Sequence, residues 1–287
     1  MKKISLFVIL SLILIPFLAI SAPRDTLKTV TDHIISSWAI KVLAMNGIAP
    51  DKVEKGVSFL LRDQKPDGSW NNNTANAAFV ILGLKQTGKG EEAIKKAVEY
   101  LREVQDDAGG FKRIGKEGAP LTIYTAVALC ALKEAGYGTK DPMVKKAVDW
   151  LMGCQNADGG YGMPKGTPSL APSTAWVVRA LLAQGMAPST PFIQDAVSWL
   201  LKTQKPTGGF SAVPPAPEDP EITAYAIMAL SRLKDQTVPI NKAAEYLAKV
   251  QQADGAYISA APMQFNKVPK KNTQSTCFVG WALSELK

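Results

Sequence analysis

Gln64-Lys65-Pro66-Asp67-Gly68-Ser69-Trp70 is the first of five related stretches; the others run from Gln105 to Phe111, Gln155 to Tyr161, Gln204 to Phe210 and Gln251 to Tyr257. Each copy has Gln, then Gly four residues on, then an aromatic six residues on. Five residues before each Gln stands another aromatic (Phe59, Tyr100, Trp150, Trp199, Tyr246), followed every time by Leu. Counted from Gln to Gln, the copies lie 41, 50, 49 and 47 residues apart. Such a period fits a two-helix repeat.

Ahead of the Gln the pattern is helical and amphipathic. Val144, Ala147, Val148, Leu151 and Met152 fall at i, i+3, i+4, i+7 and i+8, with Lys145, Lys146 and Asp149 on the other side. This helix keeps one face in water. The Gly-rich stretch then stops it, since Gly takes the left-handed conformation a helix end needs. A helix of a different kind follows each loop. Ile123 to Leu132, Ala175 to Leu182, Ala224 to Leu230 and Cys277 to Leu283 are apolar nearly all round, which requires protein on every side.

The apolar helices share a register set by Thr125-Ala126, Thr174-Ala175, Thr223-Ala224 and Thr276-Cys277. Ala77 to Leu84 fits it more loosely, and Ser36-Ser37-Trp38 to Leu43 fits with no amphipathic helix ahead of it. The pattern predicts five outer–inner hairpins plus one N-terminal inner helix. An open solenoid caps its ends with polar repeats. Here the terminal helices, Ile34 to Ala44 and Cys277 to Leu283, are as apolar as the middle ones, so they are expected to meet. The expected fold is all-α: a closed α/α toroid of six inner and five outer helices, forming a single domain over residues 22–287.

With the register in hand, Lys55-Gly56-x-x-Phe59-Leu60-x-x-x-Gln64-x-x-x-Gly68-x-Trp70 resembles the QW repeat of squalene-hopene cyclases and their relatives. The other copies carry Phe or Tyr for the last Trp, and Asp195 stands where the fourth copy would have a basic residue. The resemblance spans essentially the whole chain after residue 21 and implies the terpene cyclase and prenyltransferase toroid. It does not by itself imply an activity. Terpene cyclases carry a DxDD acid motif just before the Thr-Ala of one inner helix. Here only Asp219-Pro220-Glu221 is a partial match, with Glu221 at the position of the proton-donating Asp. Cyclases also build their active site with a second barrel, which 266 residues (287 minus 21) cannot contain. The zinc site of the prenyltransferases is missing, as His33 lies in the wrong part of the chain. The Cys-Gly-Glu-Gln of the thioester families is missing too, since Gln155 directly follows Cys154. Cobalamin carriers need a following β domain, and here the last inner helix ends the chain.

A helical wheel numbered from the Thr position places offsets +3, +4 and +7 on one apolar face, expected to pack on the outer layer. Offsets −2, +2, +5 and +9 fall opposite and are expected to face the lumen. At +2 stand Trp38, Phe79, Val127, Trp176, Tyr225 and Phe278; at +5 stand Lys41, Leu82, Cys130, Arg179, Met228 and Trp281. At −2 the one acid is Glu221. The expected cavity is an aromatic belt with two cations. Trp38, Lys41, Phe79, Trp176, Arg179, Tyr225, Phe278 and Trp281 are the candidate ligand-binding residues, for an apolar or polycyclic ligand bearing an anionic group. Read structurally instead, the aromatics wedge between helices, the cations extend to a mouth, and Glu221 complements a helix dipole.

Composition sets the outer bounds. One His and three Cys without CxxC spacing leave no zinc cluster, and there is no GxSxG for a serine nucleophile. No cofactor and no metal are expected. No basic stripe with interleaved aromatics points to nucleic acid. Met1-Lys2-Lys3, the apolar run Ile4 to Ile20 and the small residues Ala19, Ser21 and Ala22 suit a secretory signal over residues 1–21, cut after Ser21. The alternative is an uncleaved N-terminal membrane anchor. Removing Lys2 and Lys3 takes the formal charge from +8 to +6. Together these features predict a secreted or cell-envelope protein that binds an apolar or isoprenoid-like molecule, or a partner protein, without catalysis. The alternatives are a terpene cyclase-like or lyase-type enzyme using Glu221 as acid, and a structural or interaction module of the envelope.

Overall fold

The computed structural model describes residues 32–260, 270–271 and 273–286; the apolar run at 4–20 and the expected cut near Ser21 lie outside them. In chain order the helices are α1 (Asp32–Met45), α2 (Pro50–Arg62), α3 (Thr74–Thr87), α4 (Glu91–Val104), α5 (Thr122–Glu134), α6 (Pro142–Met152), α7 (Ala171–Ala183), α8 (Pro191–Leu201), α9 (Pro220–Leu230), α10 (Thr237–Val250) and α11 (Thr273–Ser284). Odd-numbered helices are inner and even-numbered helices outer. None of the described helices is long and apolar enough to cross a membrane.

The ring closes. Each inner helix packs on the next, from α1 on α3 round to α9 on α11, and α11 packs back on α1. Asn46 Nδ2 donates to Ser284 Oγ across that seam at 2.9 Å. Each outer helix packs mainly on the inner helix before it in the chain. The hairpin is therefore inner-then-outer, where the sequence suggested outer-then-inner. Chain length explains the difference. Only Gly88-Lys89-Gly90 joins α3 to α4, which forces an antiparallel pair, whereas residues 105–121 separate α4 from α5.

Among the described residues those longer loops also hold two short strand pairs. β1 (Lys112–Ile114) pairs antiparallel with β2 (Glu117–Pro120), and β3 (Ile258–Ser259) with β4 (Lys270–Lys271). The periodicity did not announce either hairpin.

The repeat residues carry out a fixed set of bonds. The Gln64 amide donates both to Gly68 O at 3.0 Å and to Ala93 O at 2.8 Å, in the first turn of the next outer helix. Gln105, Gln155 and Gln204 repeat this with Met143, Phe192 and Pro239. Among the described residues Gln251 bonds only Gly255 and no outer helix follows it. The repeat Gly brings the loop against that same outer helix. At Gly68, with φ +86°, a methyl group would lie 2.2 Å from Lys96 O; at Gly208, with φ +101°, it would lie 2.1 Å from Lys242 O. Backbone conformation and close approach both demand Gly. The register Thr closes the unit: Thr125, Thr174, Thr223 and Thr276 Oγ1 accept the N–H of Phe111, Tyr161, Phe210 and Tyr257.

Candidate active site

The N-terminal ends of the six inner helices surround one cavity of about 670 Å³, within the usual size of a small-molecule site. The inner-helix residues on its wall stand at offsets −2, −1 and +2 or at the helix start. All six +2 residues, Trp38, Phe79, Val127, Trp176, Tyr225 and Phe278, line it. They also meet one another. The Phe278 ring lies 3.9 Å from Trp38, 4.6 Å from Tyr225, 6.1 Å from Phe79 and 6.2 Å from Trp176, centroid to centroid. Most of these contacts are edge-on or tilted, as ring quadrupoles prefer. The expected aromatic belt is thus a floor across the lumen.

Lys41, Arg179 and Trp281 lie elsewhere than expected. They are not on the cavity wall. Both cations stand 5.0 Å from the Trp281 ring, toward the C-terminal ends of the inner helices, where dipoles favour positive charge. Arg179 grips Glu285 through two bonds of 2.6 and 2.7 Å and donates to Met228 O. Burial opposes ionisation of Glu285, but Arg179 outweighs it and holds that carboxyl below its ordinary range. Lys41 is 6% exposed, and burial lowers its pKa to about 8. An anionic group on a cavity ligand meets neither cation. The physical reason is depth: three residues of helix advance about 4.5 Å, which carries +5 past the floor that +2 builds.

Glu221 lies on the cavity wall. Asp219 begins α9 as its cap, accepting the N–H groups of Glu221 and Ile222 at 2.8 and 3.3 Å, with Pro220 in the first turn. Ser259 Oγ and Ala260 N also donate to Asp219, so that carboxylate fixes the start of α9. Two residues on, the Glu221 side chain is fully buried. Its Oε1 accepts from Tyr225 Oη and from Gln274 Nε2 at 2.8 Å, and its Oε2 accepts from Ser275 Oγ at 2.6 Å. Burial pushes the Glu221 pKa up to about 7, against the three donors, which favour the carboxylate; Asp219 adds a smaller push upward. Glu221 can therefore give up a proton near neutral pH.

Gln274 and Ser275 had no assigned role in the sequence, although Gln274 occupies offset −2 of α11, as Glu221 does of α9. That shared offset was the available signal. Asn73, Asn76, Arg113, Glu218, Asp219 and Gln252 add to the polar part of the wall; Arg113 arrives on the unannounced β1. Among the described residues no group of three or more His, Cys, Asp or Glu stands ready to hold a metal ion.

The squalene-hopene cyclase C-terminal domain model matches residues 76–213, and the prenyltransferase alpha-alpha toroid domain model matches residues 173–275. A squalene–hopene cyclase of Bradyrhizobium diazoefficiens is 35% identical over 118 residues, covering 37% of this chain and 18% of that protein. A drimenyl diphosphate synthase of Streptantibioticus cattleyicolor is 30% identical over 165 residues, covering 50% of this chain and 30% of that one. The chain thus spans less than a third of the length of these curated relatives. Among solved structures, the type II terpene cyclase MstE from Scytonema, in complex with geranylgeranyl dihydroxybenzoate, superposes with a TM-score of 0.76 at 16% identity. That match covers 98% of this chain and 97% of MstE. An ent-copalyl diphosphate synthase from Streptomyces platensis gives 0.65 at 20% identity, covering 88% of this chain and 50% of that one. This one toroid thus matches the MstE chain over nearly its whole length.

Proposed function

We propose that this chain, a terpene cyclase-like α/α toroid, is a proton-initiated isoprenoid cyclase with Glu221 as the acid. The observation that carries the reading is a buried carboxyl, titrating near 7, set in the wall of an apolar cavity above a floor of five aromatic rings. Protonating an alkene leaves a carbocation, which has no partner in an ordinary apolar pocket. Here Trp176, Tyr225 and Phe278 line the space where charge would develop, and the face of an aromatic ring attracts positive charge. The carboxylate left behind keeps its bonds from Tyr225, Gln274 and Ser275, so charge separation is supported at both ends. The similarity to squalene–hopene cyclase and to MstE supports the same chemistry. The apolar run at 4–20 supports placing it at the cell envelope.

A second reading, a non-catalytic binder of an isoprenoid-like ligand, is favoured by one observation: the Glu221 side chain has no exposed surface. Incubation of the purified protein with linear polyprenyl hydrocarbons, alcohols and diphosphates, followed by product analysis, separates the two. The cyclase gives cyclic products that Glu221→Gln lowers by about 10²–10⁴-fold while ligand affinity stays nearly constant. Tight binding without any product from the wild type would make the protein a binder.

A further inference from the structure

We propose that Tyr225 hands the proton to the substrate, relaying it from Glu221. The inference rests on the cyclase reading above and concerns how a fully covered acid reaches its target. The two sides of the Glu221 carboxyl are occupied differently. Tyr225 and Gln274 both line the cavity, and both bond to Oε1; Ser275 bonds to Oε2 and is not on the wall. The cavity side of the acid is therefore covered by a phenol and an amide. Of these, the phenol can accept a proton and give one up in the same motion, since its oxygen is both acceptor and donor. The amide nitrogen of Gln274 only donates. Tyr225 is 8% exposed and belongs to the aromatic floor, its ring 4.6 Å from Phe278 and 5.8 Å from Trp176. Tyr225 thus belongs both to the floor and to the shell around the Glu221 carboxyl, and links the two.

The step balances. With Glu221 protonated, its O–H donates to Tyr225 Oη and the phenolic O–H turns toward the cavity. In the transfer the phenolic O–H bond breaks and a C–H bond forms on the alkene carbon, using the π electron pair. At the same time the Glu221 O–H bond breaks and a new O–H forms on Tyr225 Oη. Tyr225 ends as it began, a neutral phenol, and the negative charge rests on Glu221, where Tyr225, Gln274 and Ser275 all donate to it. Burial and the Glu221 charge raise the Tyr225 pKa well above that of an ordinary tyrosine, so no lasting tyrosinate forms.

Tyr225→Phe tests the relay, because it keeps the floor and removes only the hydroxyl. Turnover of a polyprenyl substrate is expected to fall about 100-fold or more, with ligand affinity within about threefold of wild type. Direct donation by Glu221 predicts otherwise. Loss of a donor to the carboxylate would raise its pKa, so activity would persist with its pH limb moved upward, and that result would overturn the relay alone. Absence of turnover by the wild type on every polyprenyl substrate would overturn the cyclase reading and the relay with it. If Tyr225→Phe does not fold, the wild-type rate in mixtures of light and heavy water decides. Two protons in flight give a curved dependence on deuterium fraction, and a straight line contradicts the relay.

Discussion

Glu221 carries a pH signature at the scale of a single residue. Its pKa of about 7 in the folded protein stands above the ordinary value of 4.5, so the folded state binds its proton more tightly than the unfolded chain does. That contribution to stability is fully present below pH 4.5 and is lost as pH rises through 7. A difference of about 2.5 units corresponds to roughly 3 kcal/mol. Glu221→Gln is therefore expected to flatten the fall in stability between pH 5 and pH 9 by about that amount, read from urea unfolding at each pH. Equal slopes in wild type and variant would show that burial does not hold the proton there. Catalysis should follow the same titration, with turnover lost above pH 7. The sequence disclosed Glu221 because Asp219-Pro220-Glu221 precedes Thr223-Ala224 as an acid motif would. It did not disclose Gln274 and Ser275, whose bonds to Glu221 exist only once α9 and α11 stand side by side. Lys41 and Arg179 were misplaced because a helical wheel gives direction and not depth.

At the scale of elements, the five glutamines form an internal series. Gln64, Gln105, Gln155 and Gln204 each satisfy two backbone carbonyls, one in their own loop and one in the next outer helix. Gln251 satisfies one among the described residues. Replacing any of the first four by Ala removes both bonds, leaves the loop carbonyl without its partner, and should cost about 1–3 kcal/mol. Gln251→Ala should cost less than each of them. Thermal unfolding of the five variants ranks them directly; an equal cost at Gln251 would contradict the role given to the second carbonyl. These bonds explain why the repeat was so legible. Gln, Gly, the aromatic and Thr recur because the same joint is built again at each outer helix, each residue with a local reason. What the sequence did not convey was the partner of each helix, since loop length decides it and periodicity says nothing of loops.

At the scale of the molecule, closure makes the site. The Glu221 carboxyl receives two of its three bonds from α11, the helix that shuts the ring against α1. Phe278 on that same helix is the hub of the floor. The six inner helices also direct their N-terminal, electropositive ends at one cavity, an environment that favours the anion left after proton transfer. Closure was readable in the apolar character of both terminal helices; the floor was not, because it depends on five rings meeting across the ring's diameter. The central claim is that a proton from Glu221, exchangeable with water, starts a cyclisation on that floor. Running the reaction in heavy water and weighing the cyclic product tests it most directly. The account predicts one solvent deuterium bound to carbon at the initiating position, and loss of labelled product in Glu221→Gln. Cyclic product that carries no deuterium, or labelled product formed equally well by Glu221→Gln, would contradict it.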